Sequence, residues 1–368
     1  MSSDTTPTSA PRNAAAPSIH AAADGIDRAA LRRALSAHRT ASPARSLGQI
    51  ASSFLPFVAV CALMYATVDI SFWLTLALAP LAAGFVVRIF IIQHDCGHGA
   101  FFRSRAANDW IGRLCSLATL TPYANWRRQH ANHHANWNNL DRRESGADIY
   151  STCLTTAEYG RLTARQRLGH RLMRHPVVAL ILLPPLVFLL LYRLPFDTPA
   201  DWWRERLSVH ATNLALAAMV TALGFALGFG AMAQVQLPIM AFAAIIGVWL
   251  FSVQHRFDGA RWFTRDTWAA TPASLRGTSY LRLPAVLRWF TGNIGFHHVH
   301  HLDPRIPNYR LAACHAGNAD LQRVPTLSIG DGLRAAAYWL WDEAEGRMIR
   351  FDQYARERGS TIHATTES

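Results

Sequence analysis

The chain has 368 residues, half of them apolar, and a formal net charge of +12. All 36 basic residues are arginine, and they lie between apolar stretches instead of forming a continuous basic tract, which argues against a nucleic-acid-binding protein. The five cysteines (Cys61, Cys96, Cys115, Cys153 and Cys314) are widely spread and form no CxxC pair, which argues against a cysteine zinc site or a disulfide framework.

In chain order, residues 1–23 are rich in Ala, Ser, Thr and Pro and read as disordered. Arg12 is followed by no apolar core, so the segment does not read as a signal peptide. "GIDRAALRRALSAH" follows and predicts a short amphipathic helix, either on the membrane surface or as a solvated tail helix. Residues 46–68 and 70–87 are charge-free, with Asp69 between them, and predict a membrane hairpin. Residues 207–255 hold no Asp, Glu, Lys or Arg, a run long enough for two further crossings with a turn expected near "AMAQVQLP" around Gln234. A fifth apolar segment, 176–192, is short and is interrupted by Pro184 and Pro185.

Thirteen arginines from Arg88 to Arg174 orient that stretch toward the cytosol, with the two hairpin turns on the other side. The expected architecture is an all-α integral membrane protein. It has four transmembrane helices, one non-spanning apolar segment at 176–192, and a cytosolic helical cap.

Histidine then concentrates at the cytosolic ends of the apolar runs. "HDCGH" places His94 and His98 at i, i+4, and "HANHH" places His130, His133 and His134 at i, i+3, i+4. "HHVHH" repeats that spacing with His297, His300 and His301, while His298 points elsewhere. His255 closes the last apolar run and makes a ninth candidate. One HxxxH is a weak signal, whereas three registered clusters on one side of a membrane point to a metal site. Nine imidazoles exceed the needs of one ion and divide between two, with four or five each. Imidazole suits iron, copper, nickel or zinc, and iron with open positions is the usual partner of O2 chemistry. A site at the membrane surface meets lipid chains, and an apolar tunnel between the spans is expected to admit one. Trp126, Trp137, Trp249 and Trp289 are the aromatic residues near the clusters.

The boxes HDCGH, HANHH and HHVHH, with their flanks "WRRQHANHHANWNNLDRRESGADIYSTCLTTAEY" and "TSYLRLPAVLRWFTGNIGFHHVHHLDPRIPNYRL", resemble membrane fatty acid desaturases over residues 50 to 330. They are most similar to bacterial and cyanobacterial acyl-lipid enzymes of omega-6 (delta-12) or delta-5 type. The resemblance implies two non-heme irons, O2 as co-substrate, and removal of two hydrogens from a membrane lipid acyl chain to leave a cis double bond. Carried over by motif, the metal ligands are His94, His98, His130, His133, His134, His255, His297, His300 and His301. A related acyl-CoA group has Asn one turn before the residue matching His255, where this chain has Phe251. Asp95, Asp141, Asp148 and Asn293 are candidates to orient ligand rings.

No HPGG motif marks a fused cytochrome b5, so the electron donor is expected to be separate: ferredoxin, flavodoxin or a cytochrome b5-like carrier. The expected location is the bacterial inner membrane with the active site on its cytosolic face. The expected divisions are a tail at 1–45, the desaturase domain at 46–345 and a C-terminal tail at 346–368. Hydroxylases and related di-iron oxygenases share such boxes and form the alternative reading. A metal transporter is disfavoured because the midspan stretches are almost free of ionisable groups.

Overall fold

A computed structural model describes residues 26–143 and 152–357. The first helix, α1 (Arg28–Ser36), is capped by the Asp27 carboxylate, which accepts from the Ala29 and Ala30 amides. Four long apolar helices follow in two hairpins: α2 (Pro43–Thr67) with α3 (Phe72–Gly97), and later α9 (Trp203–Leu227) with α10 (Phe229–Val253). Between the hairpins lie α4 (Arg105–Thr119), α5 (Tyr123–Asn136), β1 (Leu154–Thr155), α6 (Thr156–Arg161), α7 (Ala164–Met173) and α8 (Leu183–Leu189). After them come α11 (Ala270–Gly277), β2 (Tyr280–Leu281), α12 (Ala285–Phe290), α13 (His297–Leu302), α14 (Asn308–Ala316), β3 (Thr326–Leu327), α15 (Ile329–Ala335), β4 (Tyr338–Asp342) and β5 (Arg347–Arg350).

The long helices hold 25 or 26 residues, so at about 1.5 Å per residue each exceeds the roughly 30 Å hydrocarbon layer and projects beyond it. α3 and α10 form the inner pair and are more buried than α2 and α9. Small side chains at the crossing, among them Ala79, Ala82, Ala83 and Ala243, let the backbones approach without lipid between them.

The first hairpin turns at Asp69, as expected. The second turns earlier than expected. Gly228 alone makes the reversal, at φ +87°, which only glycine adopts without strain. Gly224 leaves the space that the Phe229 ring folds into. "AMAQVQLP" therefore lies inside α10, with Pro238 in the helix interior.

The segment 176–192 does not form a long helix. A π-turn at Val178–Leu182 leads into α8 and then a 3-10 turn at Leu191–Arg193. The bend, 50°, falls between α7 and Val178, not at the prolines. Pro184 and Pro185 fall in the first turn of α8, immediately after the π-turn, whose altered hydrogen-bond register accompanies their missing N–H donors. Ala179, Leu180 and Val187 pack on Val248 of α10.

Three further departures stand out. Leu31 and Leu35 of α1 are buried against Phe296, Val299 and Ile306, so α1 caps the third histidine box instead of resting on a membrane or in solvent. Beside the helices, β1, β4 and β5 form one small sheet, and β2 and β3 a parallel pair. β5 lies past residue 345 and pairs with β4, so the folded body extends into what the sequence suggested was a tail. All five cysteines are unpaired. The expectations for residues 1–25 and 358–368 lie outside the described residues.

Candidate metal centre

The nine histidines come from four places. His94 and His98 sit at the end of α3, and His130, His133 and His134 on the last two turns of α5. His255 follows α10, and His297, His300 and His301 lie on α13. Because α3 and α10 are longer than the apolar layer is thick, their ends deliver these rings to the membrane surface. α13 is positioned by a tight turn. Gly292 and Asn293 both have positive φ, and Gly295 packs so closely on the Leu281 carbonyl that a Cβ there would lie 2.4 Å from its oxygen.

The structure gathers the nine into two adjoining groups. Ligand atoms of His94, His98, His130, His134 and His300 all lie within 4.8 Å of one another, as do those of His133, His255 and His301. His297 joins the second group, its Nε2 2.8 Å from that of His255 and 3.0 Å from that of His301. In the first group the Nε2 of His134 lies 3.2 Å from that of His130 and 2.9 Å from that of His300. Each HxxHH box therefore feeds both groups. His130, His134 and His300 enter the first, and His133, His297 and His301 the second.

These residues fit metal ions. Neighbouring ligands at right angles on an ion with bonds of about 2.1 Å sit roughly 3 Å apart, the spacing observed between the facing nitrogens. The Nε2 of His98 is buried with no protein partner, an uncompensated acceptor or donor that a cation relieves. Burial, reinforced by repulsion among the rings, holds His98, His130, His134, His255, His297, His300 and His301 well below the ordinary imidazole range. The rings are then neutral near pH 7, the state with a free lone pair.

Supporting residues differ from expectation. Asp95 reaches a ring: its Oδ1 lies 3.3 Å from Nδ1 of His94. Its Oδ2 accepts from the Asn308 amide (2.7 Å) and side-chain Nδ2 (2.8 Å), and that same Nδ2 donates to Gln49 Oε1. Asp141 touches no ring and instead accepts from the Arg265 amide. Asn293 donates to the Asn308 carbonyl and is linked to His94 only through Asn308 and Asp95. Asp148 lies outside the described residues. Gln49 and Asn308 escaped the sequence analysis. For Gln49 the available signal was an amide side chain inside an otherwise apolar span.

His298 does point away, its Nε2 3.0 Å from Nδ1 of His315. Trp126 stacks on His130, with ring centroids 4.7 Å apart, in space left by Gly97. Trp137 packs on His301 at 4.4 Å. Trp249 and Trp289 touch no cluster histidine: the first donates to the Gly332 carbonyl and the second stacks with Arg88. Phe251 lies against His133 and His255.

An apolar cavity of about 140 Å³ opens beside the cluster. His94, His130, His133 and His297 line it together with Phe90 of α3, Phe188 of α8, and Met240 and Gly247 of α10. Such a space excludes water and accepts a hydrocarbon chain.

The fatty acid desaturase family model matches residues 71–326. A fatty acid desaturase of Bacillus subtilis (strain 168) is 41% identical over 306 residues, covering 83% of this chain and 86% of that protein. The sn-1 acyl-lipid omega-3 desaturase (ferredoxin) of Synechocystis sp. is 30% identical over 235 residues, or 61% of each chain. The acyl-lipid omega-3 desaturase (cytochrome b5) of the Arabidopsis thaliana endoplasmic reticulum is 26% identical over 286 residues, covering 73% of this chain and 69% of that one. The last two names carry an omega-3 position, not the omega-6 or delta-5 position suggested by the motifs.

Proposed function

The chain belongs to the fatty acid desaturase family and is an integral membrane fatty acyl desaturase; from that premise we propose how its residues carry the reaction. The substrate is an acyl chain of a membrane lipid, which enters the apolar cavity between α3, α8 and α10. His94, His98, His130, His134 and His300 hold one non-heme iron, and His133, His255, His297 and His301 hold the other. Bound there, the two irons supply O2-dependent removal of two hydrogens, with two further electrons and two protons completing reduction of O2 to two waters and leaving a cis double bond.

The remaining work falls to the protein. Neutral imidazoles leave the positive charge of the metals uncompensated, which favours an electrophilic oxidant. Phe90, Phe188, Met240 and Phe251 exclude water and confine the chain beside the rings. Asp95 orients His94 through Nδ1. Electrons come from an external carrier, a ferredoxin, a flavodoxin or a cytochrome b5-like protein; the first and the last are named for relatives of this chain. The arginine-rich side steers an acidic carrier toward it. By the positive-inside rule that side faces the cytosol, and the membrane is the bacterial inner membrane.

The observation that carries this reading is the convergence of nine histidines, from the ends of two spans and two surface helices, beside an apolar cavity. Expression in a bacterium that makes no polyunsaturated fatty acids, followed by GC-MS of membrane acyl chains, tests it. A new double bond with the intact chain and none with His300→Ala is the expected result, and its position reports the regiochemistry. A hydroxy or epoxy product instead assigns the oxygenase outcome. Purified protein with no product and no bound iron would sink the di-iron reading.

A further inference from the structure

On the opposite side of α3 from the acyl cavity lies a second depression, and its chemistry is different. Arg45 and Gln49 of α2, Arg88 of α3, Arg288 and Trp289 of α12, and Tyr309 of α14 line it, and no Asp or Glu does. Among the described residues, none of the three arginines has a carboxylate within 4.0 Å, although other arginines of the chain do.

Arg88 is the key residue. It is 7% exposed and follows the charge-free run of α3, where a buried cation with no carboxylate beside it is costly. Its guanidinium is fixed in place: Nη1 donates to the Trp289 carbonyl, and the Trp289 ring lies 3.8 Å from Cζ. Its Nε is buried with no partner. Gln49, 5% exposed, repeats the pattern. Its Oε1 accepts from Asn308, which defines the amide orientation, and its Nε2 is buried with no partner. Two buried unpartnered donors, on Arg88 and Gln49, and the guanidinium groups of Arg45 and Arg288, which face no carboxylate, thus surround one depression.

The rim places this site at the membrane surface. Leu47, Val286, Leu287 and Trp289 beside it are exposed apolar residues, at home against acyl chains and not water. A ligand that satisfies both the donors and the rim has an anionic group with several oxygens joined to hydrocarbon.

We propose that Arg45, Gln49, Arg88, Arg288 and Tyr309 form a binding site for the phosphate of a membrane phospholipid, separate from the acyl cavity and on the other side of α3. A phosphate offers more oxygens than a carboxylate to this many donors and pairs well with guanidinium forks. The site shares Gln49 and Asn308 with the chain of bonds that ends at Asp95 and His94, so an occupied headgroup site braces the end of α3 that carries the first histidine box. The proposal stands on the membrane setting alone and does not require the desaturase chemistry.

Native mass spectrometry of the full-length, delipidated protein in detergent tests it. The probes are dioleoyl-phosphatidylglycerol, dioleoylglycerol, oleate and inorganic phosphate, each added alone to the wild type and to Arg45→Gln/Arg288→Gln. Removing a charge-assisted hydrogen bond is worth about tenfold or more in affinity, so phosphatidylglycerol retention is expected to fall by at least about tenfold in the double variant. Dioleoylglycerol is expected to bind weakly in both proteins. Equal retention of phosphatidylglycerol and dioleoylglycerol would overturn phosphate recognition, and unchanged retention in the variant would overturn the location. Oleate binding as strongly as phosphatidylglycerol would make it a carboxylate site. Inorganic phosphate binding as tightly as the lipid would make it a soluble-anion site. Should the double variant fail to fold, the single Arg288→Gln at the rim carries the same comparison. Arg88→Lys, which keeps the charge but loses the fork and Nε, is expected to bind between wild type and double variant.

Discussion

The two halves of the histidine cluster are built from the same residue type yet are supported differently. In the five-histidine half, Asp95 reaches His94 and is itself held by Asn308, so a carboxylate and its donors orient the ring. In the four-histidine half, the Nδ1 atoms of His255, His297 and His301 are buried without protein partners. Aromatic rings pack against this half, Phe251 against His133 and His255, and Trp137 against His301. Both halves are braced by aromatic packing, as Trp126 on His130 shows for the first; the first adds a carboxylate at His94, whereas three Nδ1 atoms of the second are buried without a protein partner. That difference is expected to separate the halves in metal affinity, in their response to mutation and in acid.

The strongest way to break the comparison is to remove one ring from each half. His300→Ala and His297→Ala are each expected to abolish double-bond formation, a loss beyond the roughly 10–100-fold typical of outer partners. Metal analysis should find each purified variant short of about one ion per chain. Identical metal content in both variants and wild type would show that the two groups do not act as separate sites.

Asp95→Asn sharpens the contrast. It keeps the shape and removes the charge that faces His94, so metal retention in the five-histidine half should weaken about 10–100-fold while the other half is unchanged. Chelator competition followed by metal counting distinguishes loss of one ion from loss of both. Uniform weakening would mean that Asp95 serves the fold instead of one half.

Phe251→Leu probes the four-histidine half. Loss of the ring that backs His133 and His255 should cost less than about 1.5 kcal/mol of stability, as nearly volume-conserving swaps do. Metal release should nonetheless accelerate from the four-histidine half alone. Release from the five-histidine half instead would contradict the assignment of Phe251 to the four-histidine half.

The smallest effect concerns pH. In the folded, metal-free chain, burial holds His98, His130, His134, His300, His255, His297 and His301 well below the ordinary imidazole value, whereas the unfolded rings titrate near about 6.5. The unfolded chain therefore takes up protons first on acidification. Stability is fully present above about pH 6.5 and is lost as the pH falls below it. Thermal unfolding of metal-free protein should show a flat midpoint above neutrality and a declining one in mild acid. A midpoint that rises on acidification would reverse the sign and refute neutral buried rings.

Much of this was legible in the linear chain, for identifiable reasons. Charge-free runs measure themselves against bilayer thickness, so both hairpins followed from counting residues. The spacing of His130, His133 and His134 is a local property of a helix and survives any packing. Less visible was which half each ring enters, because neighbours on one helix turn, such as His133 and His134, part company to meet rings from other elements. The turn at Gly228 was misplaced because Pro238 is the louder signal, yet an apolar helix in a membrane tolerates it. Asp95 lies inside a histidine box, beside His94, and faces its ring, whereas Asp141, seven residues past His134, turns to the Arg265 amide.

The sequence by itself determined the membrane spans, the nine histidines and the family, since each is encoded in composition, local spacing or contiguous motif. Tertiary structure alone decided the division of the rings into five and four, the Asp95–Asn308–Gln49 chain, the packing of α1 on the third box, and the gathering of Arg45, Arg88 and Arg288 into one depression. Those contacts join residues far apart in the chain, such as Gln49 and Asn308, 259 positions from each other. No periodicity reports them, because they exist only once the helices have packed.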